Sequence, residues 1–174
     1  MRGLSTRSQV ERFMAALGRA VRQPTRVYLT GGASAVLLGW RETTIDVDLT
    51  FMPEGDEVFH AIAHLKEELG INVELASPSH FIPAVPGWDT RSAFIAQEGP
   101  ISFYHYDFYS QALSKIERGH AQDRMDVAAM LKGGVVDGSQ LLALFELIVP
   151  DLHRYPAIDP ESFRRLVAEA LERR

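Results

Sequence analysis

The run IDVDLTF at residues 45–51 most constrains the fold, because apolar residues alternate in it with acidic or polar ones. Successive side chains of a β-strand point to opposite faces of the sheet. The alternation predicts a strand in which Ile45, Val47 and Leu49 share the buried face, whereas Asp46 and Asp48 share the other face. Two carboxylates on one face need either solvent or a cation to offset their repulsion.

The run INVEL at residues 71–75 shows the same alternation. Its isoleucine, valine and leucine are predicted to be buried, and Glu74 falls on the polar face. If the two strands are neighbours, Asp46, Asp48 and Glu74 converge on one surface. A bound divalent cation would remove their repulsion, and oxygen ligands favour Mg²⁺ or Mn²⁺ over Zn²⁺. On these residues alone, a solvated strand stays open as the alternative.

Two glycines, Gly31 and Gly32, stand between a short predicted strand and the helical run ASAVLL. Backbone N–H groups at a helix start can hold an anion, and glycines let a phosphate come close. Ser34, in the first turn, is a further candidate donor. The segment matches neither the P-loop nor the dinucleotide-binding pattern. Glycine turn and carboxylates together predict phosphoryl or nucleotidyl transfer at a two-metal site.

Hydrophobic periodicity divides the chain into an α/β core over residues 1–108 and a helical segment over residues 109–174, which we expect to pack as one compact unit. The core is predicted to contain a small mixed sheet with flanking helices. Its first helix is predicted to be capped by Ser8 and ended by Pro24, and a hairpin to turn near Glu98.

The chain has 18 Lys and Arg residues against 23 Asp and Glu residues, a net charge of −5, and no cysteine. Neither a disulfide nor a thiolate metal site can form without cysteine. The acidic balance disfavours a protein that coats long nucleic acids, because such binding depends on neutralising phosphates. No apolar run approaches the length of a membrane span, so we expect a cytoplasmic protein without a membrane partner.

Three motifs resemble the DNA polymerase β-like nucleotidyltransferase superfamily: Leu29-Thr30-Gly31-Gly32, Asp46-Val47-Asp48-Leu49 and Val73-Glu74-Leu75. With Gly39, Arg41 and Thr44, they are similar to minimal nucleotidyltransferases of bacteria and archaea, which include abortive-infection and toxin–antitoxin enzymes. The resemblance implies a nucleotidyltransferase-like fold and an enzyme that uses an NTP. Asp46 and Asp48 would bind the metal ions, and Glu74 would complete the metal site or activate the acceptor hydroxyl.

The resemblance extends more weakly into residues 112–127, ALSKIERGHAQDRMDV. There it implies that Lys115 and Arg118 serve the nucleotide, with Lys115 on the triphosphate and Asp123 holding either cation in place. The alternative is a solvated helix face with ordinary ion pairs. Arg41 is a candidate phosphate contact, or it pairs with a neighbouring acid. The run YHYD at residues 104–107 either stacks a nucleobase or packs within the sheet.

The sequence leaves the acceptor open between an RNA end such as a tRNA acceptor terminus, a protein, and a small molecule as in antibiotic-modifying nucleotidyltransferases. The toxin-like resemblance implies growth arrest and a cognate antitoxin as partner. A catalytically silent nucleotide-binding or interaction domain is the competing hypothesis. The three acids argue against it, because a silent domain has no need of them.

Overall fold

The computed structural model describes residues 3–173, and these form two compact units. The first, here called the sheet unit, contains the chain up to Ser77 together with Ser92–His105. The second, the helical unit, contains Pro78–Arg91 and the chain from Tyr106 onward. No helix in residues 3–173 is both long enough and apolar enough to cross a membrane.

The sheet unit is built on a five-stranded mixed sheet in the order β5-β4-β2-β7-β6. Strand β4 pairs antiparallel with β2 and parallel with β5, while β7 pairs parallel with β2 and antiparallel with β6. A separate two-stranded sheet joins β1 to β3. The elements of this unit are β1 Ser5–Thr6, α1 Arg7–Ala20, β2 Thr25–Thr30, α2 Gly31–Leu37, β3 Thr43–Thr44, β4 Asp46–Met52, α3 Asp56–Leu69, β5 Asn72–Leu75, β6 Ala93–Glu98 and β7 Ile101–His105.

Helices α1 and α3 pack together and complete the core of the sheet unit. Helix α1 begins at Arg7 because Thr6 and Gln9 form a capping box, so the prediction of Ser8 as the cap is wrong. The β6–β7 hairpin turn lies directly on α1 at Gly18, where any Cβ would collide with the backbone of Glu98. A small residue at that point is therefore required for the hairpin to pack on the helix.

The predicted burial of the two acid-bearing runs is confirmed except at Ile45 and Leu75. Val47, Leu49, Ile71 and Val73 are buried, as expected. Ile45 is 66% exposed because it precedes β4, which begins only at Asp46. Leu75 is 46% exposed because it is the last residue of β5, an edge strand of the sheet.

The helical unit contains α4 Trp88–Arg91, α5 Phe108–Arg118, α6 Ala121–Lys132, α7 Gly138–Ile148 and α8 Pro160–Glu172, with 3₁₀ turns at Pro78–His80 and Val149–Arg154. Helix α5 is central, since it contacts α6, α7 and α8. Phe145 and Phe163 pack against each other in the interior of the helical unit, with ring centroids 4.9 Å apart. The predicted fold class, a mixed α/β protein with a small mixed sheet and a group of C-terminal helices, is confirmed.

Candidate active site

Three carboxylates lie on one face of the sheet, on two neighbouring strands. The parallel pairing of β4 with β5 sets Asp48 opposite Glu74 and Asp46 opposite Asn72. Neighbouring strands are about 4.8 Å apart, and residues opposite each other point to the same face. Asp46 and Asp48 are half-buried and Glu74 is exposed. The face is therefore open to a ligand, with the acids fixed by the register of a sheet rather than by a loop.

Asn72 is a member of this face whose role the sequence did not predict. Its side-chain amide donates a hydrogen bond to Asp46 Oδ1 and a longer one, at 3.4 Å, to Glu74 Oε1. The amide protons thus lie between two carboxylates and reduce their mutual repulsion. The alternation that places Glu74 on the polar face also places Asn72 there, two residues earlier. The sequence pattern therefore indicated the position of Asn72 but not its hydrogen bonds.

The glycine turn faces the same acids. Gly31 has a φ of +60°, in the left-handed region that favours glycine, and a Cβ on it would lie 3.0 Å from Asp48 Oδ2. Thr30, opposite Asp48 in the β2–β4 pair, makes no side-chain capping hydrogen bond to α2. The Asp48 carboxylate therefore lies directly against the start of α2.

Glycine is required at position 32 because neighbouring side chains occupy the space of a Cβ, and not because of its backbone φ. A Cβ there would collide with Thr44 Oγ1, and it would lie 2.8 Å from Thr44 Cβ and 3.3 Å from Arg41 Nη1. The Thr44 hydroxyl in turn donates to the backbone carbonyl of Asp46 at 2.9 Å. The structure thus brings the Arg41 guanidinium beside the glycine turn, although Arg41 lies nine residues further along the chain.

Ser34 is buried, and its hydroxyl is held inside the fold. Its Oγ donates to the carbonyl oxygen of Leu29 at 3.1 Å and lies 2.9 Å from His105 Nδ1. Because the single hydroxyl proton goes to Leu29, the proton of the second hydrogen bond must come from His105 Nδ1. Burial lowers the pKa of His105 from 6.5 to about 4, which keeps the imidazole neutral. A contact between Ser34 and a triphosphate stays a prediction.

The carboxylate face fits a hard divalent cation that a substrate helps to bind. Within residues 3–173, no group of three or more His, Asp or Glu side chains is close enough to hold a metal ion by itself. Mg²⁺ is usually bound through one or two carboxylates together with substrate phosphates and water. Asp46 and Asp48 supply such a pair with oxygen ligands only, and Gly31, which has no Cβ, lies beside Asp48.

The remaining predicted nucleotide contacts form an ion-pair cluster in the helical unit. Lys115 is 5% exposed, with its Nζ 2.7 Å from Asp126 Oδ2 and 3.5 Å from Asp123 Oδ1. Arg118 binds Asp123 through two hydrogen bonds of 2.8 and 2.6 Å. Burial opposes ionisation of Asp123, but the hydrogen bond from Arg118 and the nearby positive charges of Lys115 and Arg118 together lower its pKa. Asp123 holds Arg118 firmly, and Asp126 is the closer partner of Lys115.

Comparison with known proteins assigns the chain to a family. No curated protein and no solved structure matches the chain. Residues 8–168, by contrast, match a family described as "Nucleotidyltransferase of unknown function (DUF6036)", and this match spans both acid-bearing strands, the glycine turn and the helices up to α8. The chain belongs to this nucleotidyltransferase family.

Proposed function

We propose that the protein is a Mg²⁺- or Mn²⁺-dependent nucleotidyltransferase that moves a nucleoside monophosphate from an NTP to an acceptor hydroxyl. One observation carries the proposal: Asp48 lies against Gly31 at the start of α2 and opposite Glu74 in β5. This arrangement supports a phosphate site and a cation site on one surface, in a chain that belongs to a nucleotidyltransferase family.

Asp46 and Asp48 are the residues that would hold the cation, on the same face of one strand. A divalent ion held by these two residues would supply charge neutralisation for the phosphates and the leaving pyrophosphate. Asn72 orients Asp46 through its amide, so the carboxylate is aligned before substrate arrives. The fixed register of β4 limits how far the two acids can move apart, which reduces the reorganisation needed when charge develops.

The triphosphate is proposed to lie at the glycine turn, where Gly31 has no Cβ to keep a phosphate away. Thr44 fills the Cβ position of Gly32, so Gly32 is proposed to contribute through its backbone N–H. Arg41 lies beside Gly32 and offers a planar guanidinium to the phosphate oxygens. Ser34 acts mainly by fixing the turn through Leu29 and His105. Within the helical unit, Asp126 and Asp123 hold Lys115 and Arg118, and a role of these two cations toward the nucleotide stays a prediction from the resemblance.

In the proposed reaction the acceptor oxygen forms a bond to the α-phosphorus, and the bond to the pyrophosphate leaving group breaks. The acceptor hydroxyl loses its proton, and Glu74 is the proposed acceptor of that proton; its exposure and its position opposite Asp48 support this role. An exposed carboxylate can return that proton to solvent after each turnover. The protein's contribution is then chiefly positioning and charge neutralisation.

The acceptor is proposed to be an RNA end, such as a tRNA terminus, or a protein. The toxin-like resemblance favours these two over a small molecule, with growth arrest as the outcome and a cognate antitoxin as partner. The net charge of −5 is more compatible with contact at one end of an RNA than with binding along a long duplex.

A transfer assay tests the activity. Purified protein is incubated with each α-labelled NTP, Mg²⁺ or Mn²⁺, and panels of tRNA, protein and small-molecule acceptors. We expect label on one acceptor class, a loss of at least about a hundredfold in Asp48→Asn, and no change in Asp56→Asn. Asp56 is a matched control because it is exposed at the start of α3. No transfer with any NTP and acceptor, or equal transfer by Asp48→Asn, would favour the silent-domain alternative.

A further inference from the structure

The helical unit contains a groove lined by residues other than the carboxylates and the glycine turn, and buried Lys115 is the one lining residue that is also a proposed nucleotide contact. It has a volume of about 900 Å³ and runs between α6 and α8, from Arg124 to Lys132 on one side and from Leu166 to Arg173 on the other. The end of α5 and the turn before α7 close it. We refer to it as the α6–α8 groove.

The floor of the groove is apolar, and α6 exposes apolar residues where a surface helix normally carries polar ones. Asp123 and Asp126 of α6 point inward to Lys115 and Arg118 and are each 2% exposed. Met125, on the groove, is instead 65% exposed. The floor is formed by Ile116, Val127, Ala128, Leu131, Val136 and Leu166. An apolar surface of this kind, rimmed by charged residues, is typical of an interaction site.

The rim of the groove is basic in a chain that is acidic overall. Arg124, Lys132 and Arg173 line it. Its two carboxylates are already engaged, because Asp137 accepts the backbone N–H of Gln140 at 2.9 Å and Glu169 lies 3.9 Å from Arg165. Across residues 3–173, neither Arg124 nor Lys132 has an ion-pair partner. The rim therefore complements a negatively charged occupant.

We propose that the α6–α8 groove binds one acidic amphipathic helix of a partner protein. Arg124 and Lys132 are eight residues apart on α6, about 12 Å along the helix axis. A docked helix that uses apolar residues at i, i+3, i+4 and i+7 spans about 10.5 Å, which matches this length. Its apolar side covers Leu131 and Met125, and acidic residues on its flanks face the two cations. The inference stands independently of the proposed transferase activity.

Fluorescence anisotropy with a synthetic peptide tests the inference on the full chain. The probe is a fluorescein-labelled helical peptide with leucine at i, i+3, i+4 and i+7 and glutamate elsewhere. Two matched peptides carry lysine in place of every glutamate, or serine in place of every leucine. Arg124→Glu/Lys132→Glu removes the complementary charge, and Ala128→Glu fills the exposed floor. Arg12→Glu/Arg26→Glu makes the same change in net charge at exposed positions of the sheet unit.

We expect the acidic amphipathic peptide to bind at least tenfold more tightly than either matched peptide. Both groove variants should weaken binding at least tenfold, while the control variant should leave it unchanged. Circular dichroism should show that all variants keep the wild-type helix content. Equal affinity for the serine peptide would overturn the proposal, and so would equal binding by the groove variants and wild type. Dodecyl phosphate is tested as an acidic amphiphile that is not a peptide, and its binding without binding of any peptide would also overturn the proposal.

Discussion

Individual residues at the glycine turn are fixed by neighbours that are distant in sequence. Gly32 is next to Thr44 and Arg41, and those side chains leave no space for a Cβ. The likeness to minimal nucleotidyltransferases included Gly32 as part of a motif. It did not indicate that Thr44 occupies the space where a Cβ on residue 32 would lie, because this contact depends on the path of the chain between α2 and β4.

Gly32→Ala is expected to lower the free energy of unfolding by about 1–3 kcal/mol, because the added methyl group collides with Thr44. Urea denaturation followed by circular dichroism measures the change. Gly3→Ala is the control, since nothing lies within 4 Å of a Cβ there. Equal stability of Gly32→Ala and wild type would contradict the described packing of the turn.

His105 is the residue whose role the sequence left most open, between stacking on a base and packing in the sheet. The structure pairs it with Leu29 across β2 and β7 and with the Ser34 hydroxyl, 71 residues away. Only the completed sheet creates that contact, so local patterns could not predict it. Its lowered pKa follows from burial.

The shift of His105 predicts a dependence of stability on pH. Because the pKa of His105 is lower in the folded state than in the unfolded state, its contribution to stability is fully present above pH 6.5. The contribution is lost as the pH falls toward about 4, since the unfolded state binds the proton first. Between pH 7 and pH 5, the free energy of unfolding should fall by about 2 kcal/mol more in wild type than in His105→Asn. Chemical denaturation at the two pH values measures it, with His60→Asn, at an exposed site of α3, as control. Parallel losses in wild type and His105→Asn would refute this assignment.

Among the structural elements, the two acid-bearing strands were the most predictable. Alternation over five to seven residues identifies a strand and its buried face, and the observed strands β4 and β5 begin one residue later than expected. Strand β3 was not predicted, because it has two residues and exists only through its pairing with Ser5 and Thr6. Short elements of this kind depend on a partner rather than on local sequence.

Helix α5 owes its start to a buried aspartate. Asp107 is 1% exposed and accepts hydrogen bonds from the backbone N–H groups of Tyr109 and Ser110 and from the Ser110 hydroxyl. Arg91 adds two hydrogen bonds of 3.1 and 2.8 Å to the same carboxylate. The aspartate therefore serves both as a helix cap and as the buried half of an ion pair whose arginine is 22% exposed.

Asp107→Ala is expected to destabilise the protein by about 3 kcal/mol, because it removes the cap and leaves Arg91 without its carboxylate partner. Asp137→Ala provides a matched comparison, since Asp137 caps α7 at an exposed site through the N–H of Gln140. That change should cost only about 1 kcal/mol. Thermal and urea denaturation of both variants measure the difference, and equal effects would show that the ion pair with Arg91 contributes nothing.

At the scale of the whole molecule, the chain does not divide at a single point. Residues 78–91 belong to the helical unit although they precede β6 and β7 in sequence. Trp88 stacks on Tyr106 at 4.5 Å, and Arg91 binds Asp107, so this proline-rich segment is tied to the helices. Sequence patterns detect elements along the chain. The assignment of residues 78–91 to the helical unit depends instead on tertiary contacts with residues that come later in the sequence.

The candidate site shows the same division between what local patterns reveal and what they leave open. Alternation and the glycine pair identified Asp46, Asp48, Glu74 and the turn before the structure placed them on one surface. The neighbours that fix their geometry, Asn72 among them, appear only once strands are paired. The central claim is accordingly that Asp46 and Asp48 bind an NTP through a divalent cation.

Isothermal titration calorimetry tests that claim most directly. Each NTP is titrated into wild type, Asp46→Asn, Asp48→Asn and the exposed control Asp56→Asn, with Mg²⁺ and with EDTA. We predict that wild type and Asp56→Asn bind at least one NTP only with Mg²⁺, and that Asp46→Asn and Asp48→Asn bind it at least tenfold more weakly. Equal Mg²⁺-dependent binding by wild type and both site variants would contradict the account.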